Sequence, residues 1–413
     1  MTGCFATAPS FFAGAGLKGF RPQFLPLERS GKVLYHANME TTVTKKRGLA
    51  AIWALCPKRH VLLLVSAGLI ALHLLTRGDR ALMVFLSERL VRPLHRALGT
   101  LNAHVPFSMA ELLLALFTLA VLGYIGVQIV GLLRKGERLK RLWRTLVTLA
   151  AAGLSVYALF CLLWGVYYYA DDFAEKSGFE NDAISVEELT SVTRFFAEKA
   201  NEYADKVPRD ENGLCASDRE EILRRSPEVF AETEKKYPCL EGPPLAAKGI
   251  LCSRMMSYLD FSGFFFPFTA EANVNTDMPV CDLAATVAHE LSHQRGVAKE
   301  QEANFTAVLA CLDCGDPDYC YSACLMAFTH LSNALYQADR AAWEEIRGSL
   351  SEDVLRDLRE RQRYWSGFDT PVQTVSNTVY EGFLHSYDQT LGLKSYGACV
   401  DLLVNYYYRE SVK

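Results

Sequence analysis

Three long apolar runs within the first 170 residues restrict the possible folds of this chain severely. They lie at about 59–76, 109–133 and 145–169. The latter two exceed the roughly 20 residues that a helix needs to cross a hydrocarbon core, and the first suffices if Lys58 and Arg59 snorkel. Buried hairpins of a soluble protein are the competing reading, which three such runs in succession disfavour. Trp164 and the Tyr167-Tyr168-Tyr169 cluster fit an aromatic belt where the third run leaves the lipid. The expected organisation is a tail without fixed structure (1–44), a three-helix membrane anchor (45–170) and a domain in water (171–413). The tail lacks a basic start followed by an apolar core and cleavage site, so no signal peptide is expected, and Met39 is a candidate translation start.

Loop charge sets the expected orientation. Arg134, Lys135, Arg138, Lys140, Arg141 and Arg144 face one acid, Glu137, between the second and third runs, which holds that loop in the cytoplasm. Lys45, Lys46, Arg47, Lys58 and Arg59 agree with a cytoplasmic N-terminus. Asp171, Asp172 and Glu175 then follow an extracytoplasmic exit. Arg77, Arg80, Arg89, Arg92 and Arg96 oppose this scheme, because it puts their loop outside. Leu82, Phe85, Leu86 and Leu90 recur there at helical spacing, as in a helix lying along the membrane surface.

The net charge of −4 and the absence of a broad basic face exclude nucleic acid as an expected partner. The densest of the twelve cysteines are Cys311, Cys314, Cys320 and Cys324. They admit a four-thiolate zinc site, a pair of local disulfides or plain buried thiols, the last two being favoured. The domain reads as mostly helical. Residues 186–206 form a helix capped by Ser185, residues 216–235 another, and 261–275 a strand or extended edge. From 282 to 312 the pattern is helix, glycine break, helix.

That last stretch, AATVAHELSHQRGVAKEQEANFTAVLACL, carries the chemistry. His289 and His293 are four residues apart and project from one helix face, so both imidazoles can reach one zinc ion. Glu290 is placed to hold a metal-bound water rather than the metal. Such a motif also arises by chance on solvated helices, and its surroundings sharpen it here. Gly296 can end the helix in a left-handed conformation and turn the chain back. Glu300 is the expected third ligand, Glu302 the alternative, and Asn304 a partner that orients a liganding histidine. Acids stabilising a helix start are the competing reading of both glutamates.

HELSHQRG followed by EQEAN resembles an uncharacterised bacterial family of membrane-anchored, zincin-like (gluzincin-type) metallopeptidases with the motif HELxHQRG…ExEAN. The similarity extends to Pro106-Phe107-Ser108, the tyrosine-rich exit of the third run, the segment 268–275 and Ser395-Tyr396. The clustered cysteines depart from it. The resemblance implies a mainly α chain, with three transmembrane helices followed by a zincin-like α+β domain holding a small sheet or edge strand. Gluzincins take their third ligand from E-x-x-A-[D/N], which Glu300, Ala303 and Asn304 match. The resemblance further implies Zn2+ as cofactor and a peptide or protein as substrate. It makes Thr269, Glu271, Asn273 and Asn275 the strand edge that binds it.

The expected activity is zinc-dependent peptide hydrolysis outside the cell membrane, with Glu290 as general base. Tyr380, His385 and Tyr396 are candidate donors to the oxyanion, each more readily read as a packed or surface residue. Two alternatives stand beside this reading: a silent zinc-fold sensor or scaffold, and a zinc hydrolase of a non-peptide amide. Intact Glu290 argues against the first.

Overall fold

The computed structural model describes residues 48–134, 136–179, 182–387 and 396–411. The tail 1–44 and Met39 lie outside the described residues. Residues up to Pro57 and residues from Lys58 onward form separate compact units. Of the first, residues 48–54 are helical; all that follows concerns the second.

The apolar half opens with α1 (Pro57–Thr76), then α2 (Arg80–Leu86), a π-helical turn (Ser87–Val91) and α3 (Arg92–Asn102). Next come α4 (Met109–Leu133) and α5 (Arg138–Leu163). Helices α1, α4 and α5 are long and apolar enough to cross a membrane. Helix α5 differs from the expected 145–169 at both ends. Its basic first two turns are good helix formers and extend it backwards. At the other end the chain tightens into a 3-10 turn, Gly165–Tyr169. Trp164, Tyr167 and Tyr168 are buried there rather than forming a lipid-facing belt. Trp164 meets Phe265 at 4.9 Å and Tyr168 meets Tyr387 at 4.9 Å, ring to ring. Aromatic partners distant in sequence have claimed these side chains.

The arginines after α1 are likewise engaged in tertiary contacts. Arg80 pairs with Asp171 at 2.6 Å and Glu175 at 2.8 Å. Arg92 pairs with Glu88 and donates to the carbonyls of Cys239 and Glu241, and Arg96 donates to Glu241 as well. This connection therefore packs on the domain that follows α5, so both lie at the same end of the apolar helices. The charge of Arg80, Arg92 and Arg96 serves that packing.

The domain begins with α6 (Phe173–Ser177) and α7 (Val186–Ala204), the latter started by a capping box between Ser185 and Glu188. The expected single helix at 216–235 is instead α8 (Arg219–Arg225), a 3-10 turn at Ser226–Glu228 and a short helical turn at Thr233–Lys236. Pro227 lacks the N–H that a continuing helix needs. A three-stranded sheet follows, built from β1 (Lys248–Gly249), β2 (Gly263–Phe266) and β3 (Glu271–Val274), with α9 (Ser253–Tyr258) between the first two. The order is β1-β3-β2, β3 running parallel to β1 and antiparallel to β2.

The remaining helices are α10 (Val280–Gln294), α11 (Glu300–Cys314), α12 (Pro317–Ala338), α13 (Arg340–Gly348), α14 (Glu352–Ser366), α15 (Pro371–Ser386) and α16 (Tyr396–Ser411). Helix α10 runs through the core, where Leu283, Ala284, Val287, Ala288 and Leu291 are fully buried. Alanines at 284, 288, 303 and 307 let α10 and α11 approach closely, and Ser292 Oγ meets Thr306 Oγ1 at 2.9 Å between them. The fold is thus mainly helical: three candidate membrane-spanning helices, then a domain in water with one small sheet.

The cysteine cluster sits where α11 meets α12. Cys311, Cys320 and Cys324 are buried thiols and Cys314 is half-buried, with no disulfide among them. The Cys314 and Cys320 thiols donate to the Cys311 carbonyl, turned towards backbone rather than towards a shared ion. Burial pushes all four thiols up, which disfavours the thiolates that zinc requires. The four-thiolate zinc reading is not met.

Candidate metal centre

Helix α10 presents His289 and His293 one turn apart, and α11 returns Glu300 to the same point. The turn between them is made by Gly296, whose φ of +89° is a left-handed conformation. Its N–H bonds the His293 carbonyl at 2.9 Å, closing α10. His289 Nε2 and His293 Nε2 are 3.1 Å apart, with the rings at 88°. Glu300 Oε2 lies 3.2 Å from the first and 3.7 Å from the second. Ligands about 2.0–2.1 Å from one tetrahedral zinc stand about 3.3 Å from one another, so the triangle has the right size. Among the described residues this is the one group of three or more His, Cys, Asp or Glu whose ligand atoms lie within 4.8 Å of one another.

The first neighbours of the triangle fix its state. His293 Nδ1 is 2.7 Å from the Val297 carbonyl, which only accepts, so Nδ1 carries the proton and Nε2 faces the site. The ring of Trp164 stands edge-on to His293 at 5.8 Å. Burial works against ionisation of Glu300, but His293 and His289 outweigh it and hold the carboxyl well below its usual range. Burial lowers the pKa of His293, and Glu300 more than compensates, raising it to about 9. A positive charge is electrostatically favoured where the three groups converge.

Glu290 lies beside the triangle, buried against the backbone of β2. A Cβ added at Gly263 would stand 2.5 Å from Glu290 Oε1, so a glycine is required for this approach. Among the described residues, buried Glu290 Oε2 has no hydrogen-bond partner. Burial, the main cause, raises the Glu290 pKa to about 7; the two histidines oppose it and Glu300 adds to it. A carboxylate kept dry and poised near neutrality is suited to accepting and returning a proton.

Glu302, the alternative ligand, is turned away. Its two oxygens accept from the backbone N–H groups of Phe173, at 2.9 Å, and Ala174, at 3.1 Å, satisfying the start of α6. Asn304 lines the cavity but, among the described residues, makes no hydrogen bond to either histidine, and the buried His289 Nδ1 has no partner. It sits one turn, about 6 Å, further along α11 than Glu300, beyond the histidine pair.

The expected substrate edge is also corrected. Thr269, Glu271, Asn273 and Asn275 are all buried, and β3 is the central strand. Glu271 accepts from Ala110 N–H at 2.9 Å and Met109 N–H at 3.3 Å at the start of α4, and pairs with Lys248 at 2.5 Å. Asn273 Oδ1 accepts from Ser108 Oγ at 2.6 Å, Thr269 bonds Glu271, and Asn275 bonds Ser257. Glu271 and Asn273 attach the sheet to the start of α4. The open edge that borders the His289–His293–Glu300 triangle is β2, through Gly263, Phe264 and Phe265.

A cavity of about 660 Å³ opens over the triangle. Helix α10 floors it, β2 forms one side, and Asn377, Tyr380 and Phe383 of α15 form the opposite side. Phe160 and Trp164, at the end of α5, close one end. At the far end Arg361 pairs with Asp282 at 2.6 Å, beside His330 and Asn333. Burial, the main cause, lowers the His330 pKa to about 4. Tyr380 donates to Glu300 Oε1 at 2.8 Å. His385 is exposed near Glu381, outside the cavity, and the side chain of Tyr396 lies outside the described residues. Trp164 and the Asp282–Arg361 pair escaped sequence reading. One signal was present: 282, 286, 289 and 293 share one face of α10.

No curated protein and no solved structure matches the chain. A family model described as "Protein of unknown function (DUF3810)" matches residues 87–404, which spans the π-helical turn, α3, the last two apolar helices and nearly all of the domain. The chain belongs to that family.

Proposed function

We propose that this protein is a membrane-anchored, zinc-dependent metallopeptidase of the zincin type. The observation that carries the reading is the convergence of His289, His293 and Glu300 beside a buried, unpartnered Glu290 carboxylate. The two imidazoles and the carboxylate are the donor set of a catalytic zinc with one position left open. Zinc held there lowers the pKa of a bound water towards neutrality and polarises a carbonyl. Glu290 takes the proton of the attacking water and returns it to the leaving amine. An extended peptide adds to the open edge of β2, with its scissile carbonyl beside Glu290. The cavity side of α15 supplies Tyr380, which holds Glu300 in place.

In this reading the three apolar helices cross the cell membrane with a cytoplasmic N-terminus, and the domain acts on a peptide or protein outside. The basic loop between α4 and α5 supports that orientation. Engagement of Arg80, Arg92 and Arg96 in domain contacts removes the main objection to it.

The test uses the full chain purified in detergent, with bound metal measured by elemental mass spectrometry and cleavage read on a peptide library. Wild type is expected to hold one zinc and to cleave. Glu290→Gln is expected to keep the zinc and lose at least about 100-fold in rate. Zinc without cleavage by wild type would favour a sensor, and cleavage that survives the substitution would remove Glu290 as the base.

A further inference from the structure

Helix α15 has three distinct faces. Tyr380 lines the cavity, while Thr374, Thr378 and Glu381 line a polar groove beside it. The third face carries Val372, Val375 and Val379, which recur at helical spacing and are 54%, 63% and 68% exposed. Valine is a modest helix former, so local propensity does not explain three of them on a bare face. They read as a surface built for an apolar neighbour.

The place of the stripe says which neighbour. The last turn of α15 packs against the apolar run of α5: Phe383 meets Phe160 at 5.5 Å, and Tyr387 Oη reaches Cys161 Sγ at 3.5 Å and Tyr157 Oη at 3.4 Å. Arg77, just past the end of α1, donates to the Ser386 carbonyl at 3.4 Å. The first half of α15 is tied to the end of α9, through Ser376 to the Leu259 carbonyl and Asn377 to Asp260. The start of α9 is in turn fastened to α4: Glu111 accepts from Leu251 N–H at 3.0 Å and Cys252 N–H at 2.8 Å. There Leu251 and Met255 are also bare, at 89% and 64%. Both apolar patches thus border the same end of the membrane helices and continue their exposed apolar surface.

We propose that α15 and the start of α9 rest in the bilayer interface, with Val372, Val375, Val379, Leu251 and Met255 in contact with lipid. Helix α15 is then an amphipathic interfacial helix whose polar face looks to water and whose inner face walls the cavity. The metal-binding group lies directly behind a membrane-seated element, and its cavity opens at the lipid surface. This inference rests on the reading that α1, α4 and α5 cross a membrane, and it does not depend on which metal or reaction the cavity serves.

The test uses the full chain in vesicles of phosphatidylcholine and phosphatidylglycerol. The photoreactive residue p-benzoylphenylalanine is placed singly at Val375, Val379 or Met255, and at Thr374 or Thr378 as controls on the polar face. After irradiation, intact-mass spectrometry is expected to show phospholipid adducts at the first three positions, at least about fivefold above the controls. Equal lipid adducts on both faces, or none at Val375 and Val379, would overturn the proposal. So would cross-links from the valine stripe to a second copy of the chain in place of lipid.

Discussion

The hydroxyl of Tyr380 donates to Glu300 Oε1 at 2.8 Å, while Glu300 Oε2 faces the two histidines. One carboxylate therefore joins the candidate metal-binding triangle to Tyr380 of helix α15, 80 residues further along the chain. Hydrogen bonds of this kind orient a ligand and sharpen its affinity. Tyr380→Phe is expected to weaken zinc binding about 10-fold with the fold intact, read by competition with a chelating dye. Unchanged affinity would mean that the carboxylate is held by its own helix alone.

Glu300 and Glu302 are two residues apart and serve different ends. Glu300→Ala is expected to abolish stoichiometric zinc. Glu302→Ala leaves two N–H groups of α6 without partners, so it is expected to keep zinc and lose about 2 kcal/mol of stability. Bound metal and thermal unfolding of the two variants separate these outcomes, and a reversed order would sink the assignment.

Gly263 gives Glu290 its space. Gly263→Ala would place a Cβ 2.5 Å from Glu290 Oε1, and the strand and the carboxylate cannot both stay. If Glu290 is the base, cleavage falls at least about 100-fold while zinc content holds. A variant as active as wild type would show that Glu290 is not confined against β2.

Glu271 binds the start of α4 and the Lys248 ammonium from the central strand. Glu271→Ala strands a largely buried cation and two helix-start N–H groups, at an expected cost of about 3 kcal/mol or more. Adding Lys248→Met to that variant should recover part of the loss, because it removes the stranded charge. Thermal unfolding of the single and double variants in detergent measures both, and a double variant no better than the single would refute the pairing.

His95 stacks on Tyr167 and meets Phe265 edge-on beneath the cavity. Burial, its main influence, lowers its pKa to about 4, against a weaker hydrogen bond with Pro267. The unfolded chain then binds the extra proton between about pH 6.5 and pH 4. Stability is full above the unfolded value and falls as pH drops through that window, by on the order of 2 kcal/mol at pH 5. His95→Phe keeps the stacking and should flatten this part of the profile. Melting curves from pH 7.5 to 5 check it, and a slope identical to wild type would count against His95.

Several features were legible in the residues alone. The apolar runs at 59–76 and 109–133, the Ser185 cap, the left-handed Gly296 and the common face of His289 and His293 all depend on neighbours within a turn or two. Short-range periodicity and steric rules decide such features before the chain folds. The convergence of Glu300 on the histidines was legible too, because one helix break puts it opposite them.

What the residues could not disclose is where distant partners come from. Glu302 finds its donors 129 and 128 positions away, and Glu271 finds Ala110 at a separation of 161. An alternating segment reads the same at the centre of a sheet as at its edge, so 261–275 concealed that β2 and not β3 borders the cavity. Likewise the aromatic exit of α5 looks like a lipid belt until Phe265 and Tyr387 are seen to cover it. Local pattern sets which groups are polar or apolar and which way they point; only tertiary packing decides which buried donor meets which acceptor, because that pairing depends on contacts between segments far apart in the chain.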